Sequence, residues 1–157
     1  MLRILEFDSI YNMSLINFYT ADKAFVFKGK RKLKLFIELL FKKEGVQIDQ
    51  INYVFCSDKY LLTINQSFLQ HDFYTDIITF DLSEKNQAKS AEIYISIERV
   101  AENAKNLSVQ YQTELLRVIF HGALHLCGYH DKKKVDIQKM RQKEDFYLSG
   151  FGIVQKK

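Results

Sequence analysis

Three of the chain's four histidines fall in one run, His121-Gly122-Ala123-Leu124-His125-Leu126-Cys127-Gly128-Tyr129-His130-Asp131. His121 and His125 are four apart, so on a helix they stand one turn above the other on one face, and both imidazoles can reach a single ion at about 2.0 to 2.1 Å. Gly128 can take the left-handed conformation that ends a helix, turning the chain so that His130 or Asp131 comes back to the same point as a third ligand. Three protein ligands leave the fourth position of a tetrahedral zinc open. A water held there has its pKa lowered to about 7 and becomes a nucleophile at neutral pH. The residue after His121, where zinc proteases of the His-Glu-x-x-His type carry a general-base glutamate, is Gly122, which disfavours peptide hydrolysis. Glycine inside a helix costs about 1 kcal/mol relative to alanine, so Gly122 implies either close approach of backbone or substrate, or tight helix packing.

The element that must position the pincer is a helix. Leu115, Leu116, Val118, Ile119, Phe120 and Leu124 make the segment from about Thr113 apolar nearly all round, with Thr113 as the expected cap ahead of Glu114. A helix of that kind is buried, and histidines on a buried helix need partners; a metal ion is one. Cys127 lies two residues after His125, on another side of such a helix, and is not expected to share the ion. With Cys56 it makes only two cysteines, too few for a disulfide framework, so both read as buried thiols of a reducing compartment.

These residues resemble a known family. The run is similar to the His-Gly-x-Leu-His-Leu-x-Gly-Tyr-Asp-His signature of the YbeY family, bacterial endoribonucleases of ribosomal RNA maturation and ribosome quality control. Asn65 followed by Thr75-Asp76-Ile77-Ile78-Thr79-Phe80 resembles the family's Asn…Thr-Asp-Val-Leu-Ser-Phe block, and Ala91-Glu92-Ile93-Tyr94-Ile95-Ser96 its Gly-Asp-Ile-x-Ile-Ser strand. Met140 and Glu144 match its closing Met-x-x-x-Glu helix, so the resemblance spans about residues 50–148. Two positions depart from it. The family's third metal ligand, a histidine six residues after the second, is here Asp131, itself a legitimate zinc ligand; by position Asp131 is favoured, with His130 as the alternative. The family's arginine, six positions before the threonine, is here Leu69, and His71 is the nearest cationic candidate for substrate contact.

The resemblance implies a single-strand-specific endoribonuclease acting on ribosomal RNA, at the 3′ end of the small-subunit RNA, with the ribosome or its small subunit as partner. His121, His125 and Asp131 would hold one Zn²⁺ per chain and carry catalysis, although two histidines and a carboxylate also suit other divalent transition metals. Asn65 and Asp76 would be structural or orient the ligands, and Glu144 would support a ligand from behind or form a surface ion pair. Two rival readings remain: a metal-containing, non-catalytic ribosome-assembly factor, which Leu69 in the arginine slot favours, and a metal hydrolase of another substrate, whose peptide version Gly122 opposes.

Composition and charge are compatible with an RNA substrate. The net charge of +4 is modest, but Lys132, Lys133 and Lys134 follow the metal run directly and are expected to contact RNA at the mouth of the site. Lys28, Lys30, Arg31, Lys32 and Lys34 form a second cluster at the start of an amphipathic helix, where a solvated face explains them equally well. A chain of 157 residues, 47% hydrophobic, suits one domain over 1–157. No apolar run reaches membrane-spanning length, and residues 1–8 carry acids where a signal peptide would be basic and then apolar, so a soluble cytoplasmic protein is expected. Periodicity predicts strands at 15–19, 51–55, 77–82 and 93–97, the last two a hairpin across residues 83–90. Helices are predicted at 31–43, from a Ser57-Asp58 cap to about Phe68, and at 98–108, 113–127 and 134–148. The fold class is α+β: a mixed four-stranded sheet packed against helices, with the metal site on a central helix and the turn after it.

Overall fold

A computed structural model describes residues 15–153. The acidic opening segment lies outside them. The elements run β1 (Ile16–Thr20), α1 (Lys30–Lys43), β2 (Ile48–Cys56), α2 (Asp58–Leu69), β3 (Ile77–Asp81), β4 (Lys89–Ser96), α3 (Ile97–Asn106), α4 (Tyr111–Leu126) and α5 (Lys134–Phe151). The four strands form one sheet in the order β1-β2-β4-β3. β1, β2 and β4 run parallel, and β3 pairs antiparallel to β4 as the predicted hairpin. This is the expected mixed sheet with five helices.

Alternation along the central strands sorts the core into two layers. Ile51, Tyr53 and Phe55 of β2 and Ala91, Ile93 and Ile95 of β4 join the main core with Leu33, Ile37, Leu40 and Phe41 of α1 and the apolar faces of α4 and α5. Cys56 and Ile78 make a smaller core with Leu61 and Ile64 of α2. α4 is the central helix: Leu115, Leu116, Val118, Ile119, Phe120, Ala123 and Leu124 are all buried. The buried Tyr53 hydroxyl donates to the Ile119 carbonyl at 3.1 Å, tying the middle of α4 to the middle of the sheet. Among the described residues no helix is long and apolar enough to cross a membrane.

Most boundaries shift by a residue or two, β4 begins four residues early at Lys89 and α5 runs three residues further to Phe151; three of the differences have a clear local reason. β2 starts at Ile48, because a register shift between Ile48 and Gln50 interrupts the period-two pattern that marks a strand. Ile97 is helical: the Ser96 hydroxyl accepts from the Arg99 amide at 3.1 Å and starts α3 one residue after β4 ends. Thr113 is not the cap of α4. The helix opens two residues earlier at Tyr111 with the bond from the Glu114 amide to the Gln110 carbonyl, and its N-cap makes no side-chain bond.

Gly122 is a packing glycine. A Cβ at this position would lie 2.9 Å from Ile77 Cδ1 and 3.0 Å from Ile93 Cγ2, so the missing side chain is what lets α4 sit against β3 and β4. Gly122→Ala is therefore expected to lower stability despite alanine's better helix propensity. Overpacking of about 1 to 3 kcal/mol set against a gain of about 1 kcal/mol leaves a net loss of up to about 2 kcal/mol. A urea unfolding midpoint measures it, and a midpoint raised by the substitution would contradict the packing account.

A candidate metal centre at the end of the central helix

α4 ends in the turn that the sequence requires. Gly128 is left-handed with φ 92°, its amide donates to the His125 carbonyl at 3.0 Å, and the Tyr129 amide donates to the Leu124 carbonyl at 3.1 Å. This paired bonding satisfies the last carbonyls of the helix and reverses the chain. The reversal returns Asp131 to the histidines: its Oδ2 lies 3.3 Å from His121 Nε2 and 3.3 Å from His125 Nε2, and the two Nε2 atoms are 2.9 Å apart. His130 is exposed and lies outside this group.

Partners on the far side of each ring fix the imidazole tautomers. His121 Nδ1 lies 2.6 Å from Glu144 Oε1, and His125 Nδ1 lies 2.9 Å from the Tyr129 carbonyl. A carboxylate and a carbonyl can only accept, so both Nδ1 atoms carry the proton and both Nε2 atoms present lone pairs. Burial first, and then the neighbouring His121, hold His125 below the ordinary histidine range, which favours the neutral ring. With both rings neutral, the two Nε2 lone pairs and the Asp131 carboxylate oxygen face one point, a donor set that fits a metal ion.

Glu144 is held on both oxygens. With its side chain 2% exposed, it takes His121 on one oxygen and Arg117 Nη1 at 3.3 Å on the other. Burial favours its protonated form, but the hydrogen bond from His121 and then the Arg117 charge outweigh that and keep it below the ordinary glutamate range. Arg117 in turn makes two bonds to the buried Glu114, at 2.6 and 2.8 Å. Its guanidinium stays charged because these carboxylates outweigh the cost of burying it. Arg117 is a site residue that the sequence motifs do not single out, and Glu114 is expected from them only beside the start of the helix. A signal was present: Arg117, His121 and His125 recur every four residues on one helical face, with Glu114 three residues before.

The histidines and Asp131 open on a cleft of about 750 Å³. Lys132, His71 and Leu69 also line it, so the candidate substrate contacts Lys132 and His71 share the cavity, while Leu69 puts an apolar side chain in the arginine slot. Lys133 and Lys134 do not line it; they form the cap and first residue of α5. Asn65 is 2% exposed and structural: its side-chain amide donates to the Phe73 carbonyl at 2.8 Å and its own carbonyl accepts from the His71 amide at 3.2 Å. Asp76 lines the cleft and accepts from Asn103 at 3.2 Å. Within the other basic cluster, Lys32 is engaged with Phe151 and Lys34 lies over Phe18.

Fold and site together define a class: an α+β domain whose central helix presents two imidazoles, and whose following turn presents a carboxylate, to an open cleft in a set that could hold a metal ion. The family model described as "Endoribonuclease YbeY" matches residues 16–152, and the chain belongs to this family. A protein named Endoribonuclease YbeY from Cytophaga hutchinsonii is 44% identical over 134 residues, covering 85% of this chain and 94% of that protein. One of the same name from Flavobacterium psychrophilum is 51% identical over 114 residues, 73% of this chain and 78% of that protein. The solution structure of a Thermotoga maritima protein superposes with a TM-score of 0.60 at 30% identity, covering 87% of this chain and 91% of that one.

Proposed function

We propose that this chain is a metal-dependent endoribonuclease specific for single strands, acting in the cytoplasm in ribosomal RNA maturation, at the 3′ end of the small-subunit RNA, and in ribosome quality control. Kinship with proteins named Endoribonuclease YbeY supports the RNA substrate. The observation that carries the chemistry is the convergence of two imidazole Nε2 atoms and Asp131 Oδ2 on one point in the lining of an open cleft.

His121, His125 and Asp131 would hold one Zn²⁺ per chain. The ion would supply a Lewis acid and a lowered pKa for bound water at the position these residues leave open. The chain's own contributions are orientation and charge. Glu144 and the Tyr129 carbonyl fix the two rings, so that both lone pairs point at one site before substrate arrives. The His121 hydrogen bond and then the Arg117 charge favour the ionised form of Glu144, and that carboxylate, which can only accept, holds a proton of His121 on Nδ1. Lys132 and His71 stand where they can take phosphate oxygens of a strand lying in the cleft, and Lys133 and Lys134 continue the positive charge along the start of α5.

The test is cleavage of an end-labelled single-stranded RNA and of its duplex, with chelator and Zn²⁺ add-back. The expected result is internal cleavage of the single strand only, lost with chelator and restored by the ion. Binding of RNA and metal without cleavage would favour the assembly-factor reading, for which Leu69 at the cleft wall is the supporting observation.

A further inference from the structure

The segment leading from α2 to β3 carries exposed rings on a tightly held backbone. Phe68 is 71% exposed, Phe73 57% and Tyr74 52%, in a stretch of seven residues. Exposed apolar residues standing singly need no explanation, but Phe73, the one of the three that lines the cleft of the candidate metal centre, does; Phe68 packs on Phe80 instead. The segment is not loose. Asn65 grips it at the Phe73 carbonyl and the His71 amide, and Gln66 donates to Asp72 at 2.6 Å. Arg99 lies over the Tyr74 ring at 4.9 Å. Within this frame the His71 and Phe73 rings stack nearly parallel, 22° apart with centroids at 5.1 Å, and both residues line the cleft that holds His121, His125 and Asp131. Specific hydrogen bonds thus hold a stacked pair of rings in the lining of the cavity instead of burying them in the core.

We propose that the His71–Phe73 pair is a stacking platform for an unpaired base of the RNA strand whose backbone crosses the metal centre. Stacking suits a single strand because every base has a π-face that is available only when the base is free to leave its helix. Lys132 lines the same cleft and supplies the charge that a phosphate needs, so one cavity carries both halves of a nucleotide's chemistry. The platform gives a physical origin for single-strand preference: a base held in a duplex cannot lie on it. It also explains how the cleft manages with Leu69 in place of a guanidinium, since affinity comes from ring contact beside the metal centre and not from a second cation at that wall. The inference rests on the ribonuclease reading for the identity of the strand.

The test uses the full-length zinc-loaded protein and two readouts. Binding is followed with a 2′-O-methyl oligonucleotide carrying 2-aminopurine, whose fluorescence is quenched on stacking; cleavage is followed on the unmodified RNA. Phe73→Ala is expected to weaken binding about tenfold or more and to abolish the quench, the effect of one lost stacked base, with KM raised and kcat little changed. Phe73→Trp should restore both and Phe73→Leu should not. Since the ring is more than half exposed, thermal unfolding should be close to wild type in all three. The platform is overturned if Phe73→Leu binds as well as Phe73→Trp, which would make the ring a merely apolar rim, or if wild type shows no quench, which would assign the exposed rings to a protein partner. Cleavage with an unaltered KM in Phe73→Ala would sink the platform and leave the ribonuclease reading standing. A quench by wild type with no cleavage of RNA would sink that reading and leave the platform standing.

Discussion

Asp131→Ala is expected to abolish RNA cleavage while His130→Ala leaves it near the wild-type rate. The two residues are neighbours in a turn, and only one of them reaches the histidines: Asp131 Oδ2 stands 3.3 Å from each Nε2, whereas His130 is exposed and outside the group. A bound metal contributes several kcal/mol of transition-state stabilisation, so loss of a ligand that holds it should cost on the order of three orders of magnitude in rate. Metal content should fall in parallel, because two imidazoles alone hold the ion weakly. Single-turnover cleavage and elemental analysis of both variants decide it. A fully active Asp131→Ala, or an inactive but folded His130→Ala, would move the third ligand.

Glu144→Ala is expected to be the most destabilising single substitution at the site. Its carboxylate is buried and bonded to His121 on one oxygen and to Arg117 on the other, so truncation leaves a charged guanidinium in the interior with part of its compensation gone. Removing one partner of a buried pair typically costs about 3 to 5 kcal/mol. Glu114, which keeps its two bonds to Arg117, places the expected cost near the low end. That corresponds to a melting temperature lower by roughly 10 °C at this chain length. Glu144→Gln separates the structural from the electrostatic role. The amide oxygen can still accept from His121 Nδ1, so the loss of stability should be smaller, while metal affinity falls about 10- to 100-fold because the ring loses the charge behind it. If the glutamine variant bound metal as tightly as wild type, the buried carboxylate would be a packing element only.

The centre was legible because its determinants are local. A four-residue spacing and a glycine three residues after the second histidine are turn geometry, which helix periodicity and one Schellman-type ending make readable, but that geometry left His130 beside Asp131 as the third candidate, and only position favoured the carboxylate. The sheet and its hairpin were legible for the same reason. Arg117 was not, because an arginine in an apolar helix reads as a side chain that snorkels to solvent. What holds it inside is Glu114 on its own helix together with Glu144, twenty-seven residues on and delivered by the packing of α5 on α4. The role of Gly122 stayed divided between close approach and packing until Ile77 and Ile93 were seen against it, contacts from two strands that no spacing along α4 encodes. The opposite wall of the cleft was half legible: His71 stood out as the one histidine outside the metal run. The meaning of Phe73 depends on Asn65 fixing the loop so that the two rings stack into the cavity.

The most direct test of the account is a titration of Zn²⁺ into metal-free protein, with bound ion and single-strand cleavage measured at each step, beside a His121→Ala, His125→Ala variant purified in the same way. Cleavage is expected to rise with bound ion, to reach a plateau at one equivalent per chain, and to be absent from the variant at every step. Cleavage by metal-free protein, equal cleavage by the variant, or tight binding of one equivalent with no cleavage would contradict the account.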